Sequence, residues 1–451
     1  MKKLTFLSLC LIGMTILHSC KDTEVTNDDP TLKGFIYTTT NGESTNQVLK
    51  LDRYSDGSVA NEVAYSTQSL GGANTSAGGD AKGDFDSQNA IQIIGDYLLA
   101  VNAGGNEITT FEINRANGAL TFKNNVSSGG KRPVSIAYTQ KSGSTTEYWV
   151  VVGNQWDNPN VQKDGADIER YPNDAWFNTD LSAADASDAE RNIALFSFNS
   201  TDGTLSWETV LDNYPRINGG PTCVAFSDDG SKLAVTTWGI AHFGTALTSL
   251  DEQSPSRVYA YDFSGGAITN ARFFEEEGIA GSIGFNWAKG SNSILHVSNF
   301  NLLPTLRNNS LTVLELAAGA VTKSQNFNTA GVDDIDEACW TLLNDAGDKL
   351  HVASFGANTI TRFNVNNDGS IANLDLVVSR AGVSPPGDTK DMYITPDGEF
   401  FYVLGAYQTF SINRFDNATL EYQTQDIYET TMSQSGNAGE NNFLGIAGFD
   451  L

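Results

Sequence analysis

The chain has 451 residues and carries 54 acidic against 27 basic side chains, a formal net charge of −27. So negative a balance serves solubility and excludes nucleic acid and anionic membrane surface as natural partners. The length allows a large buried core.

The first residues, MKKLTFLSLCLIGMTILHSC, read as a targeting segment. Lys2 and Lys3 form a charged n-region, and Leu4–Leu17 is an apolar run too short to span a bilayer with its flanks. The ending Leu17-His18-Ser19-Cys20 resembles the bacterial lipoprotein box, which implies cleavage before Cys20 and acylation of its thiol. Acyl chains anchor stably because each buried methylene adds about 0.8 kcal/mol. The expected division is therefore a signal peptide over 1–19, a lipidated cysteine with a polar, acidic tether over 20–31, and one domain over 32–451. Lys21 stands where an inner-membrane retention signal would place Asp, and acidic residues follow, as in surface lipoproteins. The expected location is the outer membrane, on its cell-surface or periplasmic face.

From residue 33 onward the chain repeats one pattern of four short strands rich in β-branched and aromatic residues. The clearest unit is NAIQIIGD, YLLAVNAG, EITTFEIN, ALTFKNN. Five more follow, beginning PVSIAYTQ, PTCVAFSD, SIGFNWAK, ACWTLLND and DMYITPDG, the last of them ending in TLEYQTQ. Two ends remain: GFIYTTT, QVLKLDRY and NEVAYS at the front, and FLGIAGFDL at the back. Together they make a seventh unit with the C-terminal strand innermost, which closes a ring and removes an open sheet edge. The fold class is all-β, a seven-bladed β-propeller of four-stranded antiparallel blades. Cys223 and Cys339 each fall near the start of an inner strand and read as buried free thiols.

Connections within blades fall into two kinds. First-to-second and third-to-fourth turns are short, such as SDDGSK, NDAGDK, NRANGA and NSTDGT, with the Asn-Gly and Asp-Gly pairs that tight hairpins require. Second-to-third and inter-blade connections hold the long insertions, at 66–89, 155–191, 239–256 and 300–309. In a propeller those two classes emerge on one face, so one face is trimmed and the other elaborated. Binding sites favour elaborated loops on a rigid scaffold.

LLAVNAGGNEITTFEINRANGALTFKNNVSSGGKRPVSIAY, together with TPDGEFFYVLGAYQTFSINRF and SDDGSKLAVTTWG, is similar to seven-bladed propellers of the lactonase family, which includes 6-phosphogluconolactonases and carboxymuconate-lactonizing enzymes. The resemblance spans about 32–451, loops excepted, and implies an ester-hydrolase chemistry on lactones. The family's Pro-His at the head of inner strands is missing: Arg132-Pro133-Val134-Ser135, Gly220-Pro221-Thr222-Cys223 and Thr389-Lys390-Asp391-Met392 contain no histidine. His296 and His351 match one another within second strands and read as packed or hydrogen-bonded side chains.

The residues expected around the axial mouth of the elaborated face are Arg132, Glu337 and Lys390 as catalytic candidates. Glu337 would act as base and the cations would polarise a carbonyl. Arg216, Trp238, His242 and Asn299 are binding candidates from strand ends and loops. Trp156 and Trp176, on the polar 155–191 insertion, are candidate platforms for a sugar or aromatic ligand. Asp157, Asp164 and Asp167 could hold a calcium ion, though no ligand spacing fixes one and no other cofactor is indicated. Asp391 reads as a structural rim charge. Two functions follow: a monomeric, lipid-anchored envelope protein that binds a small molecule, glycan or protein partner, or a lactonase opening a sugar or dicarboxylate lactone.

Overall fold

Short runs such as YLLAVN and EYWVVVGN become strands because branched and aromatic side chains fit a pleated surface buried between two neighbours. The computed structural model describes residues 29–451 except 43, 73–86, 156–188, 242–248, 251–252, 302, 304–305, 307, 330–335, 381–388, 406–410, 422–426 and 431–440. Seven four-stranded antiparallel sheets form the blades of a propeller. Their innermost strands, from blade 1 to blade 7, are Leu444–Asp450, Ile91–Ile94, Pro133–Gln140, Pro221–Phe226, Ser282–Trp287, Ala338–Leu343 and Thr389–Ile394. Each packs beside the next, and the seventh beside the first. In blade 1, Leu444–Asp450 pairs with Leu32–Thr39, Gly34 opposite Asp450 and Thr39 opposite Leu444. Asp450 there accepts an ion pair from buried Arg53. This is the closure expected from the sequence.

Two local features depart from the sequence reading. The described part of the outermost strand of blade 7 is Ile427–Glu429; of the expected TLEYQTQ, residues 422–425 lie outside the described residues. Asp416 accepts the backbone N–H of Thr419 at 2.9 Å, and this capped turn takes up the first of those residues. Blade 4 also carries an extra two-stranded ribbon, Ile240–Ala241 with Gln253–Ser254, in its second-to-third connection.

The core lies between blades as a series of apolar layers. Tyr97, Leu99, Ile136, Val150 and Phe196 fill the joint of blades 2 and 3, and Ile36, Leu49, Tyr402 and Leu404 that of blades 7 and 1. Each fully buried side chain of this size contributes about 1.5–3 kcal/mol. Cys223 and Cys339 are buried free thiols within these layers. On the trimmed face, Asp56, Asp202, Asp229, Asp368 and Asp397 each accept the backbone N–H two residues on. These Asx turns set the hairpins and hold the carboxyls below their usual range; for Asp229 the Ser227 hydroxyl is the largest cause.

The trimmed face is also keyed blade to blade. Gly118 has φ +69°, and a Cβ there would lie 2.5 Å from the Phe35 ring of blade 1, while its carbonyl accepts the Tyr37 hydroxyl at 2.8 Å. Gly118→Ala is expected to destabilise the protein by about 2–3 kcal/mol, combining left-handed strain with overpacking. Urea unfolding at pH 7 measures this. An unchanged midpoint would mean that the hairpin does not depend on Phe35.

Three residues leading into blade 2 cross the inside of the ring. Ser87 Oγ donates to Val134 O of blade 3 at 2.9 Å, and Trp340 Nε1 of blade 6 donates to Ser87 O at 2.8 Å. Gln88 Nε2 donates to Phe285 O of blade 5 at 3.0 Å, and its Oε1 accepts the backbone N–H of Thr341 of blade 6 at 2.9 Å. Asn89 Nδ2 donates to Val224 O of blade 4 at 3.3 Å. Only a segment lying across the axis can bond the inner strands of four blades, so 87–89 is a plug. Its deepest bonds, at Phe285 and Thr341, lie three residues past the strand starts Ser282 and Ala338.

Candidate functional site

Above the plug the inner strands share one irregularity. In blades 3 to 7 an extra residue bulges from the inner strand just after its start: Pro133 and Ser135 face Asn154 and Gly153, Pro221 and Cys223 face Thr237 and Thr236, and Ala338 and Trp340 face Ser354 and Ala353. Bulges re-aim side chains and concentrate beside functional sites. In blade 7 the register runs from Thr389 opposite Gly405 to Met392 opposite Val403, so Lys390 and Asp391 occupy the bulge. There the bulge bears charge.

Lys390 is 1% exposed. Its Nζ donates to Asn442 Oδ1 at 3.0 Å and lies 5.7 Å and 5.8 Å from the ring centroids of Trp340 and Phe355. Aromatic faces attract a desolvated ammonium. Asp391 is 7% exposed, and Met392 donates its backbone N–H to Asp391 Oδ1 at 2.9 Å. Burial pushes its carboxyl up to about 7, although hydrogen bonds from the backbone of Met392 and Ile446 pull the other way. The described residues set no salt bridge against it. Across the ring in blade 4, the Cys223 thiol is pushed up to about 12, chiefly by burial, and the Asp391 charge adds to that rise. The thiol thus registers the carboxyl across the axis.

A collar of residues surrounds this point. Gln155, Trp238, Phe300 and Phe355 follow the second strands of blades 3 to 6, and each donates its N–H to the carbonyl of the residue heading its own inner strand: Arg132, Gly220, Gly281 and Glu337. Trp238 is buried and meets Phe300 edge-on at 5.0 Å. Both belong to an apolar cluster with Ile283, Trp340 and Met392 that runs from blade 4 to blade 7. Trp238 therefore forms the wall beneath the mouth.

The remaining sequence candidates fall out as follows. Arg132 and Glu337 are half-buried and share a left-handed backbone, φ +53° and +49°, at the position where blade 5 has Gly281 at +71°. Non-glycine residues adopt this conformation at a cost of about 1–3 kcal/mol, and they cluster at functional sites. The two come from blades 3 and 6, on opposite sides of the ring. Glu337 adjoins the Lys390 site through Phe355, and its carboxylate lies over Gly356, where a Cβ would stand 2.8 Å from Oε2. Asn299 is engaged inside blade 5, accepting from Ser282 Oγ at 2.7 Å and donating to Asn309 O and Thr312 Oγ1 at 2.7 and 2.9 Å. These bonds tie the strand end to its loop. The backbone of Arg216 lies in a 3-10 turn, Arg216–Asn218, while its side chain is outside the described residues, as are Trp156, Trp176, His242, Cys20 and the aspartates 157, 164 and 167. His296 Nε2 lies 2.7 Å from Gly369 O and His351 stacks on Phe401 at 4.8 Å. Burial pulls His351 down to about 3. Among the described residues no three or more His, Cys, Asp or Glu gather as a metal site. Asp391 is the residue that sequence reasoning undervalued. Its signal was a charged pair at a position where the other blades carry Val134, Thr222 and Cys339.

Comparison with known proteins agrees with this architecture. A family model described as lactonase, seven-bladed β-propeller, matches residues 33–161. No curated protein matches. A Bacteroides fragilis structure described as a candidate 6-phosphogluconolactonase superposes with a TM-score of 0.58 at 12% identity, over 92% of this chain and 98% of that one. A Bacteroides uniformis structure of the same description gives 0.57 at 13%, over 92% and 99%. The periplasmic gluconolactonase of Pseudomonas aeruginosa gives 0.55 at 16%, over 92% and 99%. The fold these structures share with the chain is the seven-bladed β-propeller. At these identities the likeness to the solved structures is one of fold, and the chemistry must be argued from the site.

Proposed function

We propose that the protein is a lactone hydrolase whose reacting groups stand at the axial mouth of the elaborated face. One observation carries this reading: Asp391, a carboxyl that burial pushes up to about 7, and the buried cation Lys390 occupy one charged bulge of an inner strand. An acid–base group works best when its pKa lies near the operating pH. The match of a lactonase family model to residues 33–161 supports the same chemistry.

In the proposed reaction ionised Asp391 takes a proton from water as the oxygen attacks the lactone carbonyl carbon. The Lys390 ammonium stabilises the oxyanion. The ring C–O bond then breaks, and the proton on Asp391 passes to the leaving alkoxide, giving the open hydroxy acid. Phe355 would line the approach, with Trp238 and Phe300 buried beneath it. Glu337, next to Phe355, would orient the substrate. The site would act in the cell envelope, on a chain held at the outer membrane through acylated Cys20.

The test is hydrolysis of a panel of sugar and dicarboxylate lactones by the wild type and by Lys390→Met and Glu337→Gln. Turnover above the spontaneous rate is expected, with kcat/KM rising through a midpoint near pH 7 as Asp391 ionises. Lys390→Met should lower kcat by about 100-fold or more. A second reading, capture of a ligand without turnover, draws on the full burial of Lys390 and its bond to Asn442. Saturable lactone or sugar-acid binding with no hydrolysis at any pH would favour it over the first.

A further inference from the structure

The joints between blades close on the trimmed face by one recurring device, and one joint lacks it. The third-to-fourth hairpin of each blade rests on a side chain of the preceding blade. Gly57 lies on Phe400, Gly118 on Phe35, Gly203 on Tyr97 and Gly266 on Trp149, each within 2.9 Å of where a Cβ would be. In blade 6 Gly369 O is met by His296, and in blade 7 Asn417 O accepts Arg362 Nη1 at 2.8 Å. Blade 5 is the exception: around its Gly319 nothing lies within 4 Å of a Cβ. The sequence shows why. Two residues into the second strand, blades 3, 5, 6 and 7 place a ring, at Trp149, His296, His351 and Tyr402, whereas blade 4 places Ala234.

The joint of blades 4 and 5 is left with a groove of about 620 Å³, the size of a small-ligand site. It is lined on the blade 5 side by Leu316–Gly319, Asn292 and Ser293, and on the blade 4 side by Lys232, Asp262, Asn270, Ala271 and Arg272. Asp262 Oδ1 is 2.6 Å from Lys232 Nζ and 3.1 Å from Arg272 Nη2, and Asn270 Nδ2 donates to Oδ2 at 2.6 Å. These donors, Lys232 foremost, hold the Asp262 carboxyl far below its usual range. Two cations thus share one carboxylate that stays ionised. A net positive charge faces the groove on a chain of net charge −27. Lys232 spends one N–H on Asp262, and an ammonium has two more.

We infer that this groove binds a small oxyanion, a carboxylate or a phosphate, against Lys232. The blade 5 hairpin covers it where the other blades seat a side chain. The site is separate from the axial mouth and does not depend on the lactonase reading.

Calorimetric titration of the purified protein at low ionic strength, with inorganic phosphate and with gluconate as probes, tests the inference. Two variants accompany the wild type: Lys232→Met removes the charge, and Ala318→Trp fills the groove while leaving every charge in place. One-to-one saturable binding of at least one probe is expected, weakened tenfold or more in both variants, with thermal midpoints in the absence of probe near that of the wild type for Ala318→Trp. Phosphate alone or gluconate alone would identify which oxyanion is read. No saturable binding of either probe, or binding that survives either variant, overturns the inference.

Discussion

Replacing Asp391 with asparagine is expected to make the propeller more stable at pH 8 and catalytically inert. The folded-state pKa of this carboxyl, about 7, is above its ordinary value because burial penalises the charge. Below about pH 4 the group is protonated in both folded and unfolded chains and costs nothing. As pH rises from about 4 to 7 the unfolded chain releases a proton that the folded chain retains, so the unfolded state gains and stability falls. Above 7 the loss is complete. An asparagine side chain carries no charge to bury, so the Asp391→Asn variant should gain on the order of 2–4 kcal/mol at pH 8 and almost nothing at pH 4. Hydrolysis should fall by at least about 100-fold, and the limb of the pH profile near 7 should vanish with it. Urea unfolding of both proteins at pH 4 and pH 8, paired with the lactone assay, decides the matter. Equal gains at both pH values would show that the carboxyl is not desolvated in the native state. A stabilised variant with intact turnover would remove Asp391 from the chemistry and leave its burial unexplained.

The second large effect concerns the plug. Gln88→Leu retains volume but deletes an amide that satisfies Phe285 O, the Thr341 N–H and, at 3.2 Å, the Thr341 hydroxyl. These groups are deep within the ring, and each buried polar group left without a partner costs about 1–3 kcal/mol. A loss of about 3–5 kcal/mol is expected, large against the 5–15 kcal/mol that holds most domains folded. Gly284 is bound to the same arrangement, since a Cβ there would lie 2.2 Å from Gln88 Oε1. Denaturant unfolding of Gln88→Leu measures the effect. A loss under about 1 kcal/mol would mean that water replaces the amide and that the axis is wet at this depth.

The two residues behind these expectations differ in how far the sequence announced them. The blades were legible because every strand carries its own period and every hairpin its Asp-Gly or Asn-Gly turn, as in SDDGSK and NSTDGT. The lone C-terminal strand could be placed because blade 1 was one strand short. Lys390 was legible as a charge at the head of an inner strand. Asp391 was discounted because its behaviour is set by burial at a bulge, against elements as distant as Ile446, 55 positions away, and neither leaves a mark on neighbouring residues. Gln88 was invisible for a related reason. A glutamine in a polar run before a strand looks like any loop residue, and only the ring brings blades 5 and 6 against it. Arg132 and Glu337 stand in blades 3 and 6, so the order of the blades around the ring sets them on opposite sides. Asn299 was read as a mouth residue from its place at a strand end, and that same place commits it to Ser282, Asn309 and Thr312.

The closing strand has a consequence for how the molecule is made. Gly34 and Asp450 are neighbours in one sheet yet are separated by nearly the whole chain, so their contact is about as non-local as this length allows. Contacts of that kind form late and slowly, because the intervening chain must be ordered before they bring any gain. Until then blade 1 lacks its innermost strand and presents the bare edge of Leu32–Thr39, the kind of surface most prone to pairing with another chain. Synthesis from the N-terminus delivers the closing strand only after every strand of the other six blades. Every newly made copy therefore passes through an interval as an open arc, during which its partner strand must be kept from strangers.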